Sequence, residues 1–184
     1  MDVITAIRER ASYRGAYLDT PVDRDHLKLI LEAGVATPSG CNKQTVSLIA
    51  VDDPELIDRL YGVLDPPMPH RAPAMVCVLT RRIIAYRDRC FHVQDYAAAI
   101  ENMLLAITGL GYQSCWIEGQ ITDIDALGRK MADLLGVPEE YELVCFLPVG
   151  RAAEPVKRAR KQPFEERAWF NGFMPRGPRS ADGN

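Results

Sequence analysis

The longest apolar stretch of the chain covers residues 96–110. Four residues interrupt it: Glu101, Asn102, Thr108 and Gly109. Asp95 can cap the first turn of a helix at this position, and the sequence 109–111, Gly-Leu-Gly, is typical of a helix stop. The apolar positions are not confined to one stripe, so such a helix must be buried on nearly every side. A chain of 184 residues has limited material to surround it, and we expect a second copy of the chain to cover part of it.

Four shorter segments combine the helical spacing of apolar residues with an aspartate that can cap the first turn. The capping residues, in chain order, are Asp2, Asp23, Asp53 and Asp123. The first of these helices carries a short apolar stripe, Val3, Ile4 and Ile7. Gly34 is expected to end the second helix, and residues 136–138 the last one, because glycine and proline are common beyond helix C-termini.

Apolar runs of strand length predict β-strands at residues 45–51, 74–80, 111–117 and 143–149. The run 74–80 is apolar almost throughout, as expected of a central strand. Residues 81–94 carry several charges and predict a short loop or helix. With the helices between these strands, residues 1–173 form one predicted domain.

The C-terminal part of that domain, about residues 155–173, is predicted to be an extended arm. Trp169, Phe170 and Phe173 on this arm require burial, and nothing beyond them in the chain can supply it. This is a second reason to expect a partner copy. The tail 174–184 is rich in proline, glycine and polar residues and is predicted to be disordered.

Composition limits the class of protein. The chain is 47% hydrophobic and 26% charged, as in soluble globular proteins, and its net charge is −3. This balance gives no reason to expect nucleic acid or an anionic membrane as a partner. The N-terminus lacks a basic start followed by an apolar core, so no secretion signal is predicted. Five cysteines without a Cys-x-x-Cys pair predict reduced thiols and a cytoplasmic protein.

The segment Arg10-Ala11-Ser12-Tyr13-Arg14 follows the first predicted helix. Two guanidinium groups and a hydroxyl in one segment suit an anion, because guanidinium forks match phosphate oxygens and a serine can donate a further bond. The alternative is that both arginines are solvated surface groups. These residues alone leave both interpretations open.

The loop 37–44 leads into the strand 45–51, and its proline, serine and glycine predict a turn. Asn42 and Gln44 add two carboxamides at the start of that strand. Each carboxamide offers donors and an acceptor, which suits the edge of a heterocycle with alternating groups. The alternative is that both side chains bind the backbone of their own loop.

Several other chemistries lack support in the sequence. The three histidines share no ligand spacing, which argues against a zinc site, and no nucleophile-elbow motif indicates a serine hydrolase. The glycines at 109 and 111 follow a predicted helix and precede a predicted strand. That order is the reverse of a dinucleotide-binding loop, so we interpret these glycines as a helix stop.

Taken in order, four motifs resemble those of the nitroreductase-like flavoproteins, which bind FMN. The first is Arg10-x-Ser12-x-Arg14, and the second is Pro38-Ser39-x-x-Asn42-x-Gln44. The third is the helix Asp95-x-x-Ala98-Ala99-x-x-Asn102-Met103, which leads into Gly109-Leu-Gly111-x-x-Ser114-Cys115-Trp116-Ile117. The fourth is a basic segment before Pro163-Phe164-Glu165-Glu166. The resemblance covers residues 2–173.

This resemblance implies an α+β fold, with a central mixed β-sheet flanked by helices, in an intertwined homodimer with exchanged C-terminal arms. It implies an FMN-dependent oxidoreductase of ping-pong type, which takes hydride from NADH or NADPH at flavin N5 and passes it to a nitro compound, a quinone or a similar small-molecule acceptor. Two alternatives stay open. One is a specialised chemistry of the same family, such as flavin fragmentation or reductive dehalogenation, and the other is a non-enzymatic flavin-binding sensor or carrier.

The resemblance also implies roles for individual residues. Arg10 and Ser12 resemble the family's phosphate ligands, and Arg14 resembles the cation near the flavin pyrimidine. The remaining implied flavin contacts are Pro38, Ser39 and Asn42 from the partner subunit with Gln44 in support, the backbone of Ile117, Glu118 and Gly119 near N5, and the cations Arg160 and Lys161 at the phosphate. No side-chain acid or base is required. The chain departs from the family pattern at Ala11, where a second arginine is common, and in the short segment 81–94, where larger members carry a helical insertion.

Overall fold

The computed structural model describes residues 1–119, 121 and 126–173 and shows an α+β fold. Its helices are α1 (Val3–Glu9), α2 (Arg24–Val35), α3 (Pro54–Gly62), α4 (His92–Gly109) and α5 (Leu127–Leu134). Its strands are β1 (Val46–Val51), β2 (Ala74–Thr80), β3 (Ile84–Tyr86), β4 (Arg89–Cys90) and β5 (Glu142–Val149). Two single 3₁₀ turns occur at Gly40–Asn42 and Phe164–Glu166. The predicted fold class is confirmed.

The main sheet has three antiparallel strands in the order β1-β2-β5. All seven residues of β2 are buried, as the continuous apolar run 74–80 predicts for a central strand. Its Val78 lies opposite Leu48 of β1 and Cys145 of β5, which fixes the register on both sides. A parallel bridge between Ser12 and Ser114, outside the named strands, adds the mixed character.

Successive residues of β2 face opposite sides of the sheet, so β2 contributes to two apolar layers. Val76 and Val78 pack in the layer that contains α2 and α4. Met75 and Cys77 pack in the layer that contains α3 and α5. Helices therefore cover both faces of the sheet. The helical residues in these layers are Leu27, Ile30, Ile100, Met103 and Ile107 on the first face and Ile57, Leu60, Leu127 and Met131 on the second.

The apolar stretch forms α4, as predicted, but Asp95 is not its cap. The helix begins earlier, at His92, and its N-cap residue is Phe91, without a side-chain capping bond. Asp95 is buried inside the first turns, where its carboxylate accepts hydrogen bonds from the Gly40 backbone N–H and the Thr45 hydroxyl, both at 2.8 Å. The prediction was wrong because these donors lie about fifty residues away in the chain and leave no local signal.

One side of α4 is not covered by the described chain. Ala98 and Asn102 are exposed and Leu105 is half-buried, whereas eight residues of the same helix are buried. The apolar stripe of α1 is likewise exposed, with Val3 at 63% and Ile4 at 53% of their full accessible area. Isolated apolar side chains on a surface are normal, but a stripe on each of two contacting helices is the kind of patch that marks an interface.

The local helix signals are mostly confirmed. The side chains of Asp2, Asp23 and Asp53 each accept a hydrogen bond from a backbone N–H in the first turn of α1, α2 and α3. Gly136, with a φ of +65°, follows α5 and closes its C-terminus. The predicted cap Asp123 lies outside the described residues, as does the tail 174–184.

Three predictions of local structure differ from the observed fold. The end of α2 at Val35 is one residue beyond the predicted stop, but Gly34 itself lies buried in the last turn of the helix. An added Cβ there would stand 2.6 Å from Leu48 Cδ1, so close packing requires the glycine. Residues 111–117 form isolated bridges instead of a strand: Gln113 and Ile117 pair antiparallel with Gly150 and Phe146, and Ser114 pairs parallel with Ser12. Residues 81–94 contain the hairpin of β3 and β4, which turns at Arg87 with a φ of +53°.

Apart from one bridge at Ala152 and the 3₁₀ turn Phe164–Glu166, residues 151–173 contain no regular secondary structure. Phe164, Phe170 and Phe173 are exposed at 58%, 78% and 74%, while Trp169 is half-buried. The predicted need of this segment for external cover therefore persists in the folded chain. Within the described residues, no helix is both long enough and apolar enough to span a membrane.

Candidate functional site

The segment 10–14 leaves α1 in an extended conformation beside residues 113–115. Ser12 forms a parallel bridge with Ser114, and the Tyr13 N–H donates to the Ser114 carbonyl at 2.8 Å. Side chains alternate in such a segment. Ala11 and Tyr13 point into the core, whereas Ser12 and Arg14 are exposed on the other side. The spacing Arg10-x-Ser12-x-Arg14 thus brings the hydroxyl and the last guanidinium to one surface.

Two buried polar atoms beside this segment lack a hydrogen-bond partner within the described part of the chain. They are Arg10 Nε and Ser114 Oγ. Arg10 Nε lies 3.2 Å from Glu101 Oε1, close enough for an ion pair but not aligned for a hydrogen bond. Because buried polar groups in proteins are nearly always hydrogen-bonded, such orphans require an explanation, and an external anion at this position is one.

The charges of this segment affect the pKa of the neighbouring Cys115 thiol. Burial raises the pKa of the Cys115 thiol, while the positive charges of Arg14 and Arg10 and a hydrogen bond with Ser12 oppose that rise. Arg10, Ser12 and Arg14 therefore all affect the thiol of Cys115. A cation-rich environment of this kind stabilises negative charge.

A cleft of about 440 Å³ opens between the motif and residues 116–119. Volumes of 300–1,000 Å³ are usual for small-molecule sites. Arg14 lines it, together with Ile117, Glu118 and Gly119, so the structure brings these four predicted residues together. The opposite wall is the loop 66–70, which sequence reasoning missed: its prolines indicated only a connection, and nothing local shows which surface a connection lies against.

The backbone of residues 117–119 is held in a defined position. Ile117 exchanges two backbone hydrogen bonds with Phe146 of β5, at 3.1 and 3.0 Å. The N–H groups of Glu118 and Gly119 have no partner within the part of the chain that the structure describes. Unpaired donors at the rim of a cleft are available to an acceptor atom of a ligand.

The side chain of Glu118 serves a different purpose. Its carboxylate accepts a hydrogen bond from the Tyr96 hydroxyl and another from Trp116 Nε1, both at 2.9 Å. Burial, followed by the hydrogen bond to Glu118, raises the pKa of Tyr96 to about 12. Glu118 therefore ties the start of α4 to the rim of the cleft, and its contribution to a ligand would come from the backbone.

The loop 37–44 has a strained, defined conformation. Cys41, Asn42 and Gln44 all have positive φ, of 49°, 52° and 47°. Such values are uncommon for residues other than glycine. Ser39 Oγ accepts from the Gln44 N–H at 2.8 Å, and the Gly40 N–H is bound to Asp95. Asparagine tolerates this conformation well, but the loop as a whole is held by long-range contacts.

The carboxamides of Asn42 and Gln44 are exposed and form no hydrogen bond with any other described residue. The alternative in which they bind their own loop backbone is therefore not seen. Pro38, Ser39 and Gln44 line a small cleft of about 170 Å³ with Asp95. This cleft and the one at Arg14 have no lining residue in common, so one chain does not bring the two groups of predicted residues together.

The basic C-terminal segment is anchored close to the first motif. Arg158 Nε donates to the Glu9 carbonyl at 3.1 Å, and its guanidinium also pairs with the Glu9 carboxylate. Glu9 is the neighbour of Arg10 in the chain. Arg160 and Lys161 lie two and three residues further on and are exposed.

Comparisons with known proteins agree on one family. A model described as "Nitroreductase family" matches residues 7–66 and 61–151. A relative from Archaeoglobus fulgidus, whose name refers to NADH dehydrogenase and NAD(P)H nitroreductase, is 27% identical over 154 residues, which are 81% of this chain and 84% of the relative.

Two solved structures are similar along nearly the whole chain. A nitroreductase with bound FMN from Bacteroides fragilis NCTC 9343 is 30% identical, with a TM-score of 0.71 over 92% of this chain and 98% of that one. An FMN-dependent nitroreductase from Clostridium difficile R20291 is 25% identical, with a TM-score of 0.75 over 92% and 99%.

Proposed function

The chain belongs to the nitroreductase family, and from this premise we propose that it is an FMN-dependent oxidoreductase of ping-pong type. Its reductant is NADH or NADPH, and its acceptor is a nitro compound, a quinone or a similar small molecule. The names of the Archaeoglobus, Bacteroides and Clostridium proteins support the cofactor and the reductant. When bound, FMN supplies the hydride chemistry, and the protein supplies binding, orientation and charge.

The observation that carries this proposal is a pair of buried atoms without a hydrogen bond among the described residues, at the base of the motif. They are Ser114 Oγ and Arg10 Nε, whose ion-pair partner in that part of the chain is Glu101. Arg10 and Ser12 hold the FMN phosphate in our assignment, with Ala11 contributing backbone alone. Arg160 and Lys161 add positive charge, because Arg158 anchors their segment at Glu9. Phosphate suits this donor set, since guanidinium and hydroxyl groups both donate to its oxygens.

The cleft at Arg14 receives the ring system. Arg14 would balance negative charge on the pyrimidine side of a bound flavin. The N–H groups of Glu118 and Gly119, next to Ile117, have no partner among the described residues and would be available to the edge that carries N5. The chain needs no side-chain acid or base for hydride transfer. The residues of this site bind and orient, and they set the stability of charge on the ring.

The second wall of the site comes from a partner subunit. Pro38, Ser39 and Asn42, with Gln44 in support, lie on a different cleft of the same chain and reach the flavin only across a dimer interface. The exposed stripes of α1 and α4 and the uncovered aromatic residues of the arm 155–173 support the homodimer. Obligate interfaces of this kind bury upward of about 2,000 Å².

The two arginines of the motif test these assignments. Arg10→Ala should mainly weaken FMN binding, because a lost charge-assisted hydrogen bond costs about 1.5–3 kcal/mol, or about 10- to 150-fold in affinity. Isothermal titration of apoprotein with FMN measures the change. Arg8, exposed in the last turn of α1, is a matched control, and Arg8→Ala should leave the affinity unchanged.

Arg14→Ala should act differently. It should leave more FMN bound but lower the flavin reduction potential, by about 20–40 mV if the charge contributes about 1–2 kcal/mol to a two-electron couple. Arg14→Lys should restore part of the loss, because a point charge remains. A wild-type potential and a wild-type reduction rate in fully loaded Arg14→Ala protein would show that this arginine has another role.

A further inference from the structure

A thiol and an imidazole meet where the hairpin of β3 and β4 joins α4. Cys90 is the last residue of β4, and His92 is the first residue of α4. The distance between Cys90 Sγ and His92 Nδ1 is 3.0 Å, a hydrogen-bonding contact. Both side chains are partly exposed. A pair of this kind allows the imidazole to accept the thiol proton, which makes the sulfur nucleophilic.

The other cysteines lack this arrangement. Cys77, Cys115 and Cys145 are buried, and burial raises the pKa of each, for Cys77 to about 12. They are therefore protonated and inaccessible at neutral pH. Cys41 is exposed, but it has no imidazole or other hydrogen-bond partner among the described residues, so it provides an internal reference for an ordinary accessible thiol.

The surroundings of the pair indicate what reagent it would meet. His92 lines a cleft of about 570 Å³, which is space for a peptide-sized molecule. The charged residues that line it are of both signs: Arg82, Arg129, Glu118, Glu139 and Glu142. Arg89 is exposed, and its guanidinium lies over the ring of Phe91, the residue between Cys90 and His92 in the sequence. The sequence 81–90 holds four arginines and one aspartate, but Arg82 is paired with Glu142, so the charges near the pair are mixed.

We propose that Cys90 is a modification site, a reactive thiol that exchanges with low-molecular-weight disulfides such as oxidised glutathione, with His92 as its base. His92 takes the proton of the thiol, and Cys90 Sγ attacks one sulfur of the disulfide. A new S–S bond forms as the old one breaks, and the second half of the reagent leaves as a thiolate. No further oxidant is needed, and a small thiol reverses the reaction. This site goes beyond the proposed flavin chemistry and does not depend on it.

Modification at this corner would affect the loop 37–44. The ring of Phe91 lies against Gly40, so closely that an added Cβ on Gly40 would stand 2.7 Å from it. β3 also contacts the 3₁₀ turn Gly40–Asn42. A bulky adduct on Cys90 therefore strains the packing of the loop that Asp95 holds in place.

The test uses the full-length protein and oxidised glutathione at pH 7, with adduct positions followed over time by peptide mass spectrometry. Cys90 should be modified about fivefold or more faster than Cys41 in the same molecule, and dithiothreitol should release the adduct. His92→Asn should reduce the Cys90 rate to that of Cys41 without changing the Cys41 rate.

Equal rates at Cys90 and Cys41 in the wild-type protein would overturn the proposal, and this comparison does not require any variant to fold. An unchanged Cys90 rate in folded His92→Asn protein would show that His92 is not the base. Cys41→Ser should leave the reaction at Cys90 intact, whereas Cys90→Ser should abolish the fast phase. FMN content is measured in parallel, so that a failure of the flavin proposal is recognised separately.

Discussion

Asp95 is the most informative position at which to perturb the fold, because it connects α4 to the loop 37–44. Its side chain is 5% exposed and accepts two hydrogen bonds of 2.8 Å, from the Gly40 N–H and from the Thr45 hydroxyl. Thr45 itself is 1% exposed, so its hydroxyl has no route to water. Asp95→Ala therefore leaves two donors without their acceptor.

The magnitude follows from these contacts. Hydrogen bonds to charged groups contribute about 1.5–3 kcal/mol each, which gives an upper range of about 3–6 kcal/mol for two. Gly40 is only half-buried and can rebind water, so we expect Asp95→Ala to lower the free energy of unfolding by about 2–4 kcal/mol. Asp95→Asn retains one acceptor oxygen and should fall between this variant and the wild type.

Urea denaturation followed by circular dichroism, at one fixed protein concentration, measures the change. Thr45→Val is the matched control: it removes one of the two bonds, keeps the shape of the side chain, and should cost about 1–2 kcal/mol. Asp95→Ala should also weaken FMN binding, since the loop that carries Ser39 and Asn42 loses its anchor. A loss below about 0.5 kcal/mol for Asp95→Ala, the range of ordinary surface substitutions, would refute this reasoning.

Two further predictions concern packing and assembly. Gly34→Ala should lower the free energy of unfolding by about 1 kcal/mol. Overpacking the core costs about 1–3 kcal/mol, and the higher helix propensity of alanine offsets about 1 kcal/mol of this cost. Gly62→Ala, where an added Cβ meets nothing within 4 Å, should not destabilise the protein, and equal losses in both would disprove the packing argument. Ending the chain before Pro163 should preserve the fold but weaken the homodimer, as seen by sedimentation at low micromolar concentration. A truncated dimer of full stability would show that the arm does not contribute.

The features that were predictable from the sequence are those with local causes. Asp2, Asp23 and Asp53 cap helices through donors two or three residues away, so their pattern is contained in a few positions. The strand 74–80 is apolar almost throughout because it packs on both faces and pairs on both edges. The stop after Gly109 follows from the conformational freedom of Gly111, whose φ is +82°.

The features that were missed depend on contacts between distant segments. Asp95 resembles a cap in the sequence, but its partners Gly40 and Thr45 are brought to it by the fold. Gly34 resembles a helix stop, but its role is to let Leu48 approach α2. The loop 66–70 forms a wall of the candidate site only because the chain returns to Trp116, and no local pattern records that return.

The candidate site shows the same division. Arg10, Ser12 and Arg14 were predicted as site residues from their family resemblance, and their extended segment explains why Ser12 and Arg14 share a surface. The unsatisfied Ser114 hydroxyl and the inward-bound Glu118 carboxylate could not be identified in this way, because each is defined by its surroundings. In our proposal the residues of the loop 37–44 reach the flavin from a second chain, and the sequence indicates that chain only through apolar positions that need cover.

The central claim is that this chain binds FMN and transfers hydride from a nicotinamide to an acceptor. The most direct measurement is the absorbance spectrum of the purified protein during anaerobic addition of NADH or NADPH and then of a quinone. We predict a yellow protein that releases FMN on denaturation, loses its flavin absorbance with one of the two nicotinamides, and regains it with the quinone. A colourless protein that does not take up added FMN, or a bound flavin that neither nicotinamide reduces, would contradict the account.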